Sequence, residues 1–321
     1  MNVRNTYRQV YAYALMSVLV LPAMGQQVET SHLAKMGEWT TWTSEDGLPE
    51  NEVRSVFQDS QNRLWFGTRN AGIGVFDGTA WAYYTTGDGL ISNGISSIVE
   101  DASGRIWISG RGGYSILDGN TWTPHDSLGP IKPRVVFSIS RDSEEHLWLG
   151  ANGGASGFDG STWTHFKPSD GLPHQVVHSV LRDRSGNIWF ACRRGLAQFK
   201  SDTMSVHFPE SNFGSILEDQ DGNVWFGTRG SGTYKFDGLN WTQHLSGMDV
   251  RPTIVDKDGR IWAITDDNGV LSYDGDTWTR YKTDDGLASN SVYGVIEARD
   301  GTLWFATEAG ASQYTIRSTA R

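Results

Sequence analysis

The 321 residues are enough for two ordinary domains, but an array of repeats behaves as one cooperative body. The 38 % hydrophobic and 12 % aromatic content, with 14 tryptophans, concentrates the apolar material in a few large rings. Net charge is −10, and setting aside Arg4 and Arg8 in the first 25 residues leaves −12, which argues against nucleic acid or an anionic membrane as the main partner. The one cysteine, Cys192, excludes a disulfide framework and a thiolate metal cluster.

At the amino terminus two arginines precede an apolar run from Ala12 to Leu21, then Pro22-Ala23-Met24-Gly25. This is the pattern of a cleavable signal peptide over residues 1–25, because the run is shorter than the roughly 20 apolar residues a membrane span needs. No cysteine follows for a lipid anchor, so export to the periplasm or medium is expected, with no membrane span in the mature chain. Residues 26–37 read as a linker and 318–321 as a tail.

From residue 38 to 317 one block occurs seven times. Its first copy is D-S-Q-N-R-L-W-F-G-T from Asp59, and its tryptophans are Trp65, Trp107, Trp148, Trp189, Trp225, Trp262 and Trp304. Spacings of 36 to 42 residues predict a β-propeller with one blade per repeat. Twelve residues before each tryptophan stand Val53, Ile95, Val136, Val177, Phe213, Val250 and Val292, the expected starts of the innermost strands. The Asp-x-x-Gly stretch is a tight turn, and the tryptophan follows on a second strand. A third strand ends in Asp-Gly, a hairpin signal, as at Asp77-Gly78 and Asp159-Gly160. A fourth begins at Trp81, Trp122, Trp163, Met204, Trp241 or Trp278, with an aromatic or histidine ring three residues on. First, second and third strands occur seven times, but after Ala311–Ile316 no fourth remains. Residues 38–43, E-W-T-T-W-T, carry the fourth-strand pattern. The expectation is an all-β, seven-bladed propeller of four-stranded blades, closed when this N-terminal strand completes the last blade.

The block D-G-L-P-E-N-E-V-R-S-V-F-Q-D-S-Q-N-R-L-W-F-G-T resembles the repeat of the two-component regulator propellers, the periplasmic sensor regions of hybrid histidine kinases. Further D-G-L blocks stand at Asp88, Asp170 and Asp285, and the other repeats depart from the pattern by lacking one. Kinase-type relatives run on into a second propeller, an immunoglobulin-like domain, a membrane span and a kinase. With none of these expected here, the resemblance implies a ligand-sensing propeller that does not signal in cis. It implies a small-molecule or oligosaccharide ligand, with a membrane sensor as a possible protein partner.

The expected ligand face collects two sets of positions. Four after each ladder tryptophan come Arg69, Arg111, Asn152, Arg193, Arg229, Asp266 and Glu308, with Arg194 beside Arg193; fourteen before it come Asn51, Asn93, Arg134, Gln175, Ser211, Met248 and Asn290. The arginine arc suits a carboxylate or sulfate, and hence an acidic oligosaccharide. A structural reading stands beside it: each arginine pairs with a D-G-L aspartate such as Asp46, Asp88 or Asp170 and stitches blades together. No metal or cofactor is expected, those aspartates being turn formers. The chain also resembles the streptogramin and polysaccharide lyases, which would cast His174 or His178 as a base beside an arginine. His125, His207 and His244 fall in the aromatic packing register, and Cys192 in a packing position. A protein-interaction scaffold is a third reading. A binding monomer is the expectation.

Overall fold

The computed structural model describes residues 20–22, 28–29 and 37–316. The fold is all-β. Val53–Gln58, Leu64–Thr68, Ile73–Phe76 and Trp81–Tyr84 pair in sequence order into one antiparallel sheet. Residues 95–125, 136–166 and 177–207 each form another such sheet. Residues 213–244 and 250–281 repeat the arrangement, joined to each other by a single bridge between Thr228 and Val250. Val292–Glu297, Leu303–Thr307 and Gly310–Ile316 take Gly37–Trp42 as their fourth antiparallel strand. Each first strand lies beside the first strand of the following repeat, and Val292–Glu297 lies beside Val53–Gln58. This is propeller architecture.

Most of the expected signal peptide and the tail 318–321 lie outside the described residues. Val20–Pro22, inside the expected leader, runs parallel to Trp241–Gln243, and Val28–Glu29, in the expected linker, runs parallel to Trp278–Thr279. Among the described residues no helix is long and apolar enough to cross a membrane.

The ladder block works because one aspartate serves two purposes. Its carboxylate takes the backbone N–H groups of the following turn and also the indole N–H of the tryptophan six residues on. Asp59 accepts from Trp65 Nε1 at 2.7 Å and Asp219 from Trp225 at 2.8 Å. The same bond recurs from Trp107, Trp148, Trp189 and Trp262. Burial of Asp101 raises its pKa, but the Trp107 and Arg105 hydrogen bonds outweigh this and hold it below the usual carboxylate range. The seventh repeat has Ala298 there and lacks the clamp. Held this way, each indole packs between neighbouring sheets: Trp65 with Ile95 and Trp122, and Trp304 with Phe66 and Trp42.

The D-G-L aspartates fold a short 3-10 turn. Asp46 and Asp88 accept the N–H of Thr43 and Thr85 at 2.8 Å, and Asp170 that of Lys167 at 2.9 Å. Glycine follows in the left-handed region, at φ 107° to 113° in the turns of Gly47, Gly89 and Gly286. The leucine after it is buried, as with Leu48, Leu90, Leu172 and Leu287. Thus the block is a turn that plugs a hydrophobic side chain between repeats.

Candidate functional site

The site begins with a β-bulge. In six repeats the ladder between first and second strands slips by one residue just after the first strand begins, leaving Arg54, Ser96, Phe137, His178, Gly214 and Tyr293 unpaired. In the remaining repeat the slip comes between Pro252 and Ile254. A bulge re-aims its side chain, and here neighbouring ones meet across repeats. The Arg54 guanidinium lies 3.9 Å from the centre of the Tyr293 ring. The Phe137 and His178 rings are 5.1 Å apart. A Cβ at Gly214 would stand 3.1 Å from the Arg251 stem. On neighbouring first strands Arg54 thus meets Tyr293, Phe137 meets His178, and Gly214 lies against the Arg251 stem.

Part of this surface is filled by ion pairs. Glu52 holds both Arg54 and Arg69, the latter at 3.0 Å. Arg251 binds Asp249 at 3.1 Å and comes within 3.9 Å of Asp266. Another part is open. A cavity of about 310 Å³ lies there, lined by Phe137, Asn152, Val176, His178, Arg193, Asn212 and Arg229. Of the residues expected from sequence, the fold brings Asn152, His178, Arg193 and Arg229 together in it. Phe137, Asn212 and Arg251 were not foreseen, since the bulge that turns Phe137 inward leaves no mark on an alternating pattern.

Arg193 and Arg229 are exposed and, among the described residues, no carboxylate lies within ion-pair distance of either. Among the described residues Arg63 binds Asp59 at 2.6 Å, Arg105 binds Asp101 at 2.7 Å and Arg182 binds Glu144 at 2.7 Å, whereas the exposed Arg111, Arg134 and Arg194, like Arg193 and Arg229, have no carboxylate at that distance. His178 has no hydrogen-bond partner on either ring nitrogen among the described residues. Burial, then Arg229, Arg193, His174 and Arg251, push its pKa down to about 4, so the ring is neutral at pH 7. His174 Nδ1 accepts the Val176 N–H at 2.9 Å, which leaves the proton on Nε2. Burial and the charge of Arg193 also lower the His174 pKa. The Asn212 Oδ1 is buried without a partner.

The remaining expected residues take other places. Asn51, Asn93 and Asn290 spend their side-chain oxygens on the backbone N–H of Ser44, Thr86 and Thr283. Arg111, Arg134, Gln175 and Arg194 are exposed, outside the cavity lining. The D-G-L aspartates cap their own turns, and Arg69 pairs with Glu52 of its own repeat. Repeats are stitched instead by backbone bonds such as Gly195 N–H to Ser211 O at 2.8 Å, and by Glu100, Glu218 and Glu297, which accept the N–H of Ser60, Arg184 and Lys257. His125 stacks on Tyr114 at 4.7 Å, His207 lies 5.4 Å from Trp241, and His244 lies 4.8 Å from Trp225, all in packing positions. Cys192 is fully buried.

Residues 47–70, 89–112, 171–194, 207–230 and 286–309 match the family model described as the two-component regulator propeller. These are two-component regulator propeller repeats. Each match ends just past the position of Arg69, Arg111, Arg193, Arg229 or Glu308, so four of the five carry an arginine there. Among solved structures, the chain is similar to the extracellular domain of the hybrid two-component system BT3049 of B. thetaiotaomicron, with a TM-score of 0.76, 22 % identity, and coverage of 88 % of this chain and 41 % of that one. The extracellular domain of BT4673 from the same organism gives a TM-score of 0.72 and 20 % identity, covering 87 % and 39 %. The chain thus spans about two-fifths of the length of these relatives. A streptogramin B lyase gives a TM-score of 0.70 at 13 % identity, covering 88 % and 98 %. At these identities the likeness is one of fold. No curated protein matches the chain.

Proposed function

We propose that this regulator-propeller chain is an exported, sensor-type binding protein that takes an acidic oligosaccharide at the cavity around His178, Arg193 and Arg229. In this reading the mature chain begins near residue 26, residues 38–317 form a seven-bladed ring, and strand Gly37–Trp42 closes the last blade. The neighbourhood of Val292–Glu297 and Val53–Gln58 supports the ring. The carrying observation is that two exposed guanidiniums, Arg193 and Arg229, with no carboxylate in ion-pair distance among the described residues, line one open cavity in an acidic chain. A planar carboxylate satisfies such a fork bidentately. Phe137 offers a flat apolar wall for a sugar ring, and Asn152 and Asn212 offer amides for its hydroxyls. Export is supported by the leader-like composition of residues 1–25 and by the extracellular character of the relatives.

The test is calorimetric titration with oligogalacturonate against a neutral oligosaccharide of the same length. Arg193→Ala and Arg229→Ala should each weaken the acidic ligand at least about tenfold, as loss of a charge-assisted bidentate contact does. Equal affinity for both ligands would remove the acidic specificity, and binding to neither would remove the saccharide.

The lyase reading draws on the proximity of His174 and His178 to Arg193. It is the weaker one, because an imidazole with its pKa lowered to about 4 is a poor base at neutral pH. Release of an unsaturated product from any uronate would reverse that order. A scaffold would be favoured by a broad apolar face, whereas the exposed large apolar side chains among the described residues are Tyr83 and Leu239.

A further inference from the structure

Three features of the cavity converge on one ring. His178 sits on the bulge of its strand with its ring 5.1 Å from that of Phe137 and tilted to it, both nitrogens free of hydrogen bonds among the described residues, and it forms part of the cavity wall. The charged groups around it come from three successive repeats. Arg193 and His174 belong to its own, Arg229 to the next and Arg251 to the one after, with Asp249 bound to Arg251. The preceding repeat contributes Phe137 and Asn152, which are neutral. The imidazole is therefore a weak cation-former held among cations, with one ion-paired carboxylate nearby.

We infer that anion binding at this cavity is coupled to uptake of a proton by His178, so that the site binds an acidic ligand together with a proton and tightens its grip as the medium acidifies. The inference rests on the cavity being an anion site. An anion seated between Arg193 and Arg229 screens both guanidiniums from the imidazole and supplies an acceptor for a ring N–H, thereby removing two of the causes that keep the ring neutral. By linkage, whatever the anion does for the proton, the proton does for the anion. The empty site starts with a ring pKa of about 4, which burial and these cations impose. Above the bound-state pKa the coupling is silent. Between the two pKa values affinity rises by up to about tenfold per unit fall in pH. A ligand released at neutral pH and held at mildly acidic pH would follow.

Calorimetry on the full mature chain provides the test, with trigalacturonate and inorganic sulfate as probes. Both remain anionic from pH 5.5 to 7.5. Titrations at pH 5.5, 6.5 and 7.5, each in two buffers of different ionisation enthalpy, count protons directly. The expected result is affinity that rises at least about fivefold from pH 7.5 to 5.5, with proton uptake approaching one at the acid end. His178→Gln should flatten that profile, while His174→Gln should preserve it. The imidazole carbon resonance of His178 provides a readout in the unaltered protein, because its titration midpoint should move upward when sulfate is added. Binding with flat affinity and no buffer-dependent heat would overturn the proton coupling and leave the anion site standing. A pH dependence that survives His178→Gln would overturn the assignment to this residue. Absence of binding at every pH would remove the anion site itself and the coupling with it.

Discussion

His178 and His244 are both neutral, packed histidines, but their surroundings give them opposite consequences. His178 faces an opening through which an anion can arrive. His244 is sealed beneath Trp225 and Tyr273, and both of its ring nitrogens are buried without a partner. Burial, aided by Lys235, lowers its pKa to about 4. An unfolded histidine titrates near 6.5, so the unfolded chain binds the extra proton first. The stabilising contribution is complete above about pH 6.5 and is lost as pH falls towards 4. Replacing the ring by phenylalanine keeps the aromatic contact and removes both orphaned nitrogens and the titration. His244→Phe should therefore match or exceed the parent chain at pH 7.5. Its advantage should grow by about 2 kcal/mol at pH 5.0, read from denaturant melts at the two pH values. An advantage independent of pH would show that the buried ring does not titrate in that window.

At the scale of elements, the D-G-L turn shows how much of a propeller is set by one short motif. Aspartate caps the turn, glycine lets the chain reverse at positive φ, and leucine plugs the seam. Gly89 has φ 110°, and a Cβ there would lie 3.0 Å from both Cβ and O of Trp122, whereas Gly78, at φ 97°, has nothing within 4 Å. Alanine at either position bears the backbone strain, on the order of 1–2 kcal/mol. Only Gly89→Ala must also push a fourth strand away. Its unfolding free energy should drop further than that of Gly78→Ala, by about 1 kcal/mol or more, on the order of overpacking costs, and its melting temperature with it. Equal drops would mean that the seam yields freely and that the motif is a turn and nothing else.

For the whole molecule, the periodic part was legible in sequence and the aperiodic part was not. The ladder tryptophans, the first residues of the seven inner strands and the pairing of residues 38–43 with the last repeat all follow from spacing, because a repeat must bury the same face every time. The cavity depends on what differs between repeats. Glu52 satisfies Arg69, while the equivalent positions beside Arg193 and Arg229 hold the uncharged Val176 and Asn212, a contrast that appears only when the repeats are set side by side. The bulge at His178 is equally invisible, since one unpaired residue inside six still reads as alternation. Ring closure, by contrast, makes a strong demand of the sequence. If Gly37–Trp42 is the strand that closes the circle, it contributes Trp39, 4.5 Å from Tyr314 and 5.2 Å from Phe305, and Trp42, 5.6 Å from Trp304. Each half-buried indole represents about 2 kcal/mol of burial, and the strand's hydrogen bonds cover the edge Gly310–Ile316. A chain beginning at residue 43 should melt on the order of 10 °C below one beginning at residue 26, and it should self-associate through the bared edge. A synthetic peptide spanning residues 36–44 should reverse both effects by strand addition, while a version with both tryptophans replaced by alanine should not. Scanning calorimetry and sedimentation velocity read the two effects separately. An unchanged melting temperature for the shortened chain would mean that the circle holds without its N-terminal strand, leaving the contacts between the first strands of the first and last repeats to close it alone.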